Sequence, residues 1–162
     1  MPRSIGPSLR QYWHRLSRLP GGRWLFSRLL GLVVPYTGKL GATVLELEPG
    51  YCAVAMRERR GIRNHLRSVH AMALANLGEM ATGLALLNGL PEGMRGILLG
   101  FEIEYLKKSR GLLLAQCRCD VPTDQAEQEC TLTAQIRNQA DELTAIVHAR
   151  WLIGPEHNSN GN

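Results

Sequence analysis

The spacing of apolar residues predicts two short helices near the start of the chain. In the first, over residues 7–19, apolar positions recur every three or four residues, as on one face of a helix. They are Leu9, Tyr12, Trp13, Leu16 and Leu19. A Pro-Gly-Gly sequence at 20–22 breaks the pattern. The second helix is predicted over 23–34, before Pro35, and carries Trp24, Leu25, Leu29 and Leu32.

Period-two alternation and short apolar runs then predict six strands. They cover residues 40–48, 51–57, 95–106, 111–119, 129–138 and 143–153. Pro49 and Gly50 suit the central positions of a type II turn between the first two strands. The joints at 107–111 and 138–142 are short, so the strands flanking each joint are expected to be antiparallel neighbours. In the third strand, alternate apolar residues from Ile97 to Tyr105 are expected on one face.

A long apolar segment between the second and third strands predicts one buried helix. Residues 69–88 are apolar all round and rich in Ala and Gly, so other elements must wrap this helix. Ser68 is the predicted N-cap, and Gly89 with Pro91 ends the helix. Two strands, a buried helix and four strands predict an α+β hotdog fold. In this fold a curled antiparallel six-stranded sheet wraps one central helix, here preceded by N-terminal helices.

Charge and length divide the chain into three parts. We predict an N-terminal helical extension at 1–35, one hotdog domain at 36–154 and a disordered tail at 155–162. The net charge is +5, and residues 1–40 carry seven basic side chains and no acidic one. Such a segment is typical of a transit peptide, of helices that contact a membrane surface peripherally, or of a polyanion-binding region. Its longest apolar run, 24–34, contains Arg28 and is too short for a transmembrane segment.

The four cysteines are expected to be reduced thiols. Cys52, Cys117, Cys119 and Cys130 form no C-x-x-C pair, so neither a metal site nor a redox motif is predicted. Cys117 and Cys119 lie two apart in a strand, which places both on one face. Reduced thiols favour a cytoplasmic location.

Candidate chemistry concentrates at the long helix. Glu79 is its only charged side chain apart from His70 at its start, and burial of a lone carboxylate would raise its pKa and suit it to base or nucleophile chemistry. A position facing a subunit seam would equally explain such a residue. Near the helix start, the free amides of Ala71 and Met72 could bind an oxyanion. Asn64 precedes this turn in a polar loop.

The run from Asn64 to Ala71, followed by Glu79, resembles the hotdog acyl-CoA thioesterases of the phenylacetic-acid-degradation (PaaI-like) type. Members of that family have an Asn, a His-Gly-Gly sequence six residues later, and an Asp or Glu nine residues after the His. The resemblance covers residues 36–153, and the first 35 residues resemble an N-terminal extension of one branch. This chain has His-Ala-Met at 70–72 in place of His-Gly-Gly.

The resemblance implies a hydrolase acting on acyl-CoA thioesters. Glu79 would be the general base or the nucleophile, and the Ala71 amide would polarise the carbonyl. Asn64 would place water or substrate, and His70 would shape the turn. Coenzyme A would be part of the substrate, so no separate cofactor and no metal is expected. The cations for its phosphates would be Arg63, Arg67, Lys107, Lys108 and Arg110.

Geometry predicts a site shared between two subunits. Ala71 and Glu79 are eight residues apart, which is about 12 Å along a helix, so one chain cannot easily bring both to one carbonyl. A two-fold dimer with antiparallel central helices would solve this, and the family resemblance implies the same. A homotetramer built from two dimers is equally compatible with the sequence.

Other functions on the same fold stay open at this point. The protein could bind acyl groups or acyl-CoA without turnover. It could also be a hydratase or an acyl-carrier-protein thioesterase, although the Asp and His pair typical of hydratases is missing. Nucleic-acid binding is disfavoured because the chain lacks a basic sheet interleaved with aromatic residues. The sequence does not decide between short, long and aromatic acyl groups.

Overall fold

Four helices and six strands make up the structure, a computed structural model that describes residues 5–156. The helices are α1 (Ile5–Leu16), α2 (Gly22–Val33), α3 (Pro35–Gly38) and α4 (Ala71–Gly89). The strands are β1 (Thr43–Glu48), β2 (Tyr51–Arg57), β3 (Met94–Tyr105), β4 (Leu112–Arg118), β5 (Gln128–Asn138) and β6 (Leu143–Pro155). Of the tail predicted to be disordered, Pro155 ends β6 and residues 157–162 lie outside the described residues.

The six strands form one antiparallel sheet in the order β1-β2-β4-β5-β6-β3. α4 contacts all six strands, so the sheet wraps the helix as predicted. The hotdog prediction is therefore confirmed, and both N-terminal helices are present.

One expected strand pairing is wrong. The joint at 107–111 does not make β3 and β4 neighbours, because β3 pairs with β6 whereas β4 lies between β2 and β5. Six residues can span about 20 Å, enough to pass the two intervening strands at about 4.8 Å per strand. Hydrogen bonds hold this crossing: Leu106 donates to Thr144, Val69 donates to Ser109, and Glu58 donates to Gly111.

The face of β3 also differs from the prediction. A bulge between Leu98 and Gly100 shifts the register against β6. Leu98 pairs with the buried Trp151, whereas after the bulge Phe101 pairs with the buried Ala149. Side chains therefore switch faces at the bulge, and strict alternation from Ile97 to Tyr105 does not hold.

α4 begins two residues later than predicted and has a different N-cap. His70 is the N-cap residue, and its imidazole Nδ1 accepts a hydrogen bond from the amide of Met72. Val69 instead forms an isolated bridge with Arg63, and the Ser68 hydroxyl lies 3.2 Å from Asn64 Oδ1. Ser68 and Val69 thus form their hydrogen bonds outside the helix, so the helix does not begin at these residues.

Glycines let β6 approach α4 closely. A Cβ at Gly78 would lie 2.3 Å from Cγ2 of Val147, and a Cβ at Gly83 would lie 3.1 Å from the ring of Trp151. The small residues noted in the sequence therefore seat the helix against the sheet, because larger side chains would push the two layers apart.

The two N-terminal helices pack on the hotdog core through fewer residues than their apolar patterns suggest. Leu9 of α1 and Phe26 of α2 are buried, and the Ser27 hydroxyl accepts a hydrogen bond from the Val44 amide at 2.9 Å. Arg10 donates to the carbonyls of Asn88 and Leu90 at the end of α4. The predicted apolar positions of the second helix instead face outward: Trp24, Leu25, Leu29 and Leu32 are exposed.

Several local predictions are confirmed. Gly50 has a φ of 76°, as the second central residue of a type II turn requires. The alternation over 129–138 predicts Cys130, Leu132, Ala134 and Ile136 on the inner face of β5, and each is more buried than its neighbours from 129 to 135, with Leu132, Ala134 and Ile136 in the core. All four cysteines are free thiols, of which Cys52 and Cys117 are buried.

Candidate active site

Glu79 lies halfway along α4 with its carboxylate largely withdrawn from water. Burial raises the pKa of this carboxyl above its ordinary value. Among residues 5–156, no hydrogen bond or ion pair of the carboxylate is found. Its Oε1 atom would be 3.9 Å from a Cβ at Gly83, next to the ring of Trp151. An unpaired carboxylate in this position has the properties of a base or a nucleophile.

Glu79 belongs to a stripe that we call the open face of α4: Met72, Asn76 and Glu79. The intervals of four and three residues place them on one side of the helix. Met72 is exposed and the other two are partly buried, whereas 13 of the 19 helix residues are fully buried. This is the side of the helix that its own sheet leaves uncovered at the level of Glu79.

Asn76 is a residue that sequence reasoning missed. Its Oδ1 atom is buried without a hydrogen-bond partner within the described chain. A buried amide oxygen is costly to leave without a donor, so this atom can accept a hydrogen bond from water or from a ligand. The spacing of three residues to Glu79 on a helix was the signal that could have identified it.

The start of α4 offers one free donor. The Met72 amide was predicted to be free for an oxyanion. It donates instead to His70 Nδ1 at 3.1 Å, so that prediction is wrong. The Ala71 amide donates to no acceptor in the described part of the chain. His70 orients this turn through the hydrogen bond that its Nδ1 accepts.

Asn64 closes the loop that precedes the helix. Its side-chain Oδ1 accepts hydrogen bonds from the amides of Leu66 and Ser68, at 2.9 and 3.2 Å. Arg67 within this loop has a φ of 55°, a left-handed conformation that the loop imposes. Asn64 thus leaves only its Nδ2 group for a ligand, and its observed contacts are those of a loop-forming residue.

Tyr105 lies against the helix start from the end of β3. Its hydroxyl donates to the Ala71 carbonyl at 3.2 Å. Burial raises the pKa of Tyr105, which keeps this hydroxyl protonated and able to donate. Tyr105 therefore fixes the peptide group next to the free amide.

Three of the five predicted phosphate-binding cations already have partners. Arg63 bonds to Glu58 at 2.6 Å, and Lys107 bonds to Glu142 at 2.7 Å. Arg110 donates through Nε to the carbonyl of Arg67 at 3.0 Å. The amide of Gly111 and the Arg63 guanidinium lower the pKa of Glu58, so this pair persists at neutral pH.

The other two cations are unpaired. Arg67 and Lys108 are exposed, and neither side chain makes a hydrogen bond or an ion pair among residues 5–156. Arg67 lies in the loop before α4, and Lys108 lies in the segment at 107–111 that crosses from β3 to β4. They are the two of the five predicted cations that have no partner within the described chain.

The groups of the site are not brought together within one chain. The free Ala71 amide and the Glu79 carboxylate are about 12 Å apart along the axis of α4. Exposed apolar side chains occur in the loop before α4, at the start of α4, along β3 and just after it: Leu66, Met72, Ile97, Leu99, Phe101, Tyr105 and Leu106. β3 is an edge strand, so one of its hydrogen-bonding sides is unpaired as well.

No metal centre accompanies these groups. Among residues 5–156, no cluster of three or more His, Cys, Asp or Glu side chains could hold a metal ion.

Comparison with solved structures places the molecule in the class of hotdog-fold proteins. A structural-genomics protein, APC5556, is 27% identical with a TM-score of 0.79, and the match covers 92% of this chain and 99% of that one. A Pseudomonas aeruginosa protein described as a "probable thioesterase" is 21% identical with a TM-score of 0.73, covering 85% of this chain and 97% of that one. A hypothetical thioesterase of Streptococcus pneumoniae, solved with coenzyme A, is 20% identical with a TM-score of 0.60, covering 71% and 87%.

The sequence also assigns the chain to a family. Residues 22–153 match the family described as domain of unknown function DUF4442, and the chain belongs to it. The matched region includes α2, so the family pattern extends beyond the strands and the central helix. No curated protein matches the chain.

Proposed function

We propose that the protein hydrolyses acyl-CoA thioesters at a site that two copies of the chain build together. The observation that carries this proposal is the unpaired, desolvated carboxylate of Glu79 on the open face of α4. The PaaI-like spacing around Asn64, His70 and Glu79 supports it. Two structural neighbours described as thioesterases, one of them solved with coenzyme A, support it further.

The Glu79 carboxylate is the reactive group of the site. As a general base it takes a proton from water, whose oxygen attacks the thioester carbonyl; as a nucleophile its own oxygen attacks first, and water then hydrolyses the acyl-enzyme anhydride. Either route gives a tetrahedral oxyanion, which collapses as the carbon–sulfur bond breaks. The coenzyme A thiolate leaves and takes up a proton, and the acyl group becomes a carboxylic acid.

The Ala71 amide binds the oxyanion. It is the first amide of α4, so the positive end of the helix macrodipole adds to its hydrogen bond. His70 and Tyr105 hold this turn through the Met72 amide and the Ala71 carbonyl. The rigid turn keeps the donor aimed before substrate arrives, which is what makes such donors effective.

A second copy brings the two halves together. Two-fold pairing of antiparallel α4 helices sets the Ala71 amide of one subunit opposite the Glu79 carboxylate of the other. The same pairing covers the exposed apolar residues near β3 and gives the Asn76 oxygen a neighbour. A tetramer of two such dimers would have to use other surfaces. The free thiols fit the reducing cytoplasm as the location.

Coenzyme A phosphates meet Arg67 and Lys108. Raising the salt concentration is therefore expected to increase KM for an acyl-CoA several-fold while leaving KM for the matching acyl-pantetheine, which lacks the nucleotide, nearly unchanged. The double variant R67N/K108A should reproduce this loss at low salt, because Asn tolerates the left-handed conformation of residue 67 without the charge.

The control for this experiment is R57N/K39A, which removes two exposed cations outside the proposed site. The substrates are acyl-CoAs with short, long and aromatic acyl groups, each paired with its pantetheine thioester. Hydrolysis of at least one series supports the proposed activity. Equal salt dependence for both members of each pair would exclude Arg67 and Lys108 from phosphate binding.

A further inference from the structure

The outer surface of the two N-terminal helices carries an apolar patch that the proposed site does not use. Within residues 5–156, ten of the seventeen exposed large hydrophobic residues lie between Ile5 and Tyr36. The other seven surround β3 and the start of α4, where a second copy would cover them. The N-terminal patch therefore needs a partner of its own, because a surface this apolar is rarely left to water.

The patch is continuous along α2. Trp24, Leu25, Leu29, Leu32, Val33 and Val34 are all exposed, and Leu32 and Val33 are 76% and 75% accessible. At about 100° per residue, those from Trp24 to Val33 share one half of the helix surface. Between them and α1 runs an apolar groove of about 510 Å³ that no acidic residue lines.

The segment that contains the patch is also rich in positive charge. Residues 1–45 contain six Arg and one Lys, and the first acidic residue of the chain is Glu46. Arg15, Arg18, Arg23 and Arg28 are exposed, and among residues 5–156 no hydrogen bond or ion pair of their side chains is found. An exposed apolar face on helices that also carry unpaired arginines, with Trp24 among the apolar residues, is the pattern of helices that lie in the headgroup region of an anionic bilayer.

We infer that α1 and α2 dock the protein peripherally on anionic lipid bilayers, with the Leu32 and Val33 side chains inserted and the arginines on the lipid phosphates. Within the described residues no helix is long and apolar enough to cross a bilayer. The apolar face favours a bilayer over a nucleic acid, which would contact the arginines and leave the Leu and Val side chains in water. This inference is independent of the proposed thioester hydrolysis.

Cosedimentation of the full chain with vesicles tests it. With vesicles of phosphatidylcholine and about 30 mol% phosphatidylglycerol, we expect the wild type to sediment, and with pure phosphatidylcholine we expect much weaker binding that salt affects little. The variant L32D/V33D should reduce the binding constant for anionic vesicles by about tenfold or more. R15E/R18E should do the same by removing charge without touching the apolar residues.

A matched control is R95E/R150E, which makes the same charge change on exposed positions of β3 and β6. It should keep most of the vesicle binding, because only the position of the charge differs. Circular dichroism and the thermal midpoint establish that every variant is folded. The inserted positions are solvent-exposed, so their replacement should leave the fold intact.

Three results would overturn the inference. The first is unchanged vesicle binding of folded L32D/V33D. The second is a fall in particle mass of L32D/V33D by light scattering without lipid, which would make the patch an interface between copies of the chain. The third is retention of the wild type on heparin together with no sedimentation on anionic vesicles, which would identify a soluble polyanion as the partner.

Discussion

Replacement of Glu79 by Gln is expected to lower kcat for thioester hydrolysis by about 10²–10⁴-fold, the usual contribution of a positioned general base. The amide has the size and hydrogen-bonding capacity of the carboxyl but cannot take a proton or attack the carbonyl. Steady-state kinetics on the best acyl-CoA substrate measures the effect. Binding of a non-hydrolysable acyl-CoA analogue should be retained, which separates loss of catalysis from loss of the site.

The pH profile carries the signature of the desolvated carboxyl. Burial raises the pKa of Glu79, and only its ionised form is reactive, so the wild-type rate should fall on acidification already above the ordinary titration range of a Glu. The residual rate of E79Q should not show this fall at acidic pH. Glu46, on the exposed side of β1, gives the matched control, and E46Q should keep the wild-type rate and profile.

Stability should change in the opposite direction to activity. The fold prefers the protonated form of Glu79, because burial raises the pKa of this carboxyl. The contribution of Glu79 to the free energy of unfolding is therefore fully present below its unfolded pKa and is lost as the pH rises through its folded pKa. At neutral pH, E79Q should therefore be more stable than wild type by about 1 kcal/mol, and the two should converge in acid. A folded E79Q enzyme with wild-type turnover would remove Glu79 from the chemistry.

Replacement of Ala71 by Pro is expected to reduce kcat by about 10²–10³-fold, the cost of removing one oxyanion donor. Proline deletes the amide hydrogen and nothing else that the fold uses, since this amide donates to no acceptor in the described chain. Ala71 is the first residue of α4, the helical position that favours Pro. His70 before it has φ −64° and ψ 141°, an extended conformation that a following Pro accepts.

A71S is the control for this variant, because it keeps the amide hydrogen and changes only the side chain. It should lose less than about threefold in kcat, and A71P should keep the thermal midpoint of the wild type. Wild-type kcat in a folded A71P enzyme would show that another donor binds the oxyanion.

The sequence predicted the elements well because each has a strong and regular pattern. The buried helix is apolar all round, and β5 alternates between apolar and polar residues from Cys130 to Arg137, so the existence of these elements follows from periodicity. Glu79 stood out for the same reason, as a charge inside an apolar helix. These features depend on local order along the chain, which the sequence displays directly.

Features that depend on pairing or on single hydrogen bonds could not be predicted. Periodicity does not encode which strand β3 joins. A bulge at 98–100 reverses its faces, and Gly100 within the strand was the sequence signal that could have indicated it. The N-cap is His70 and not the predicted Ser68, because the Ser68 hydroxyl donates a hydrogen bond to Asn64 Oδ1 in the preceding loop. Arg63 and Lys107 were predicted to be free cations, and the structure pairs Arg63 with Glu58, five residues earlier, and Lys107 with Glu142, which is distant in sequence.

The central claim is a thioesterase site shared between two subunits, and mixed dimers of A71P and E79Q test it most directly. The two variants are unfolded, mixed in equal amounts and refolded, and acyl-CoA hydrolysis is compared with each variant refolded alone. Random pairing makes about half of the dimers mixed, and each mixed dimer contains one site with an intact Ala71 amide and an intact Glu79. Activity should then return to about a quarter of the wild-type value. If mixed dimers are shown to form and the mixture stays as inactive as its components, the shared site is wrong.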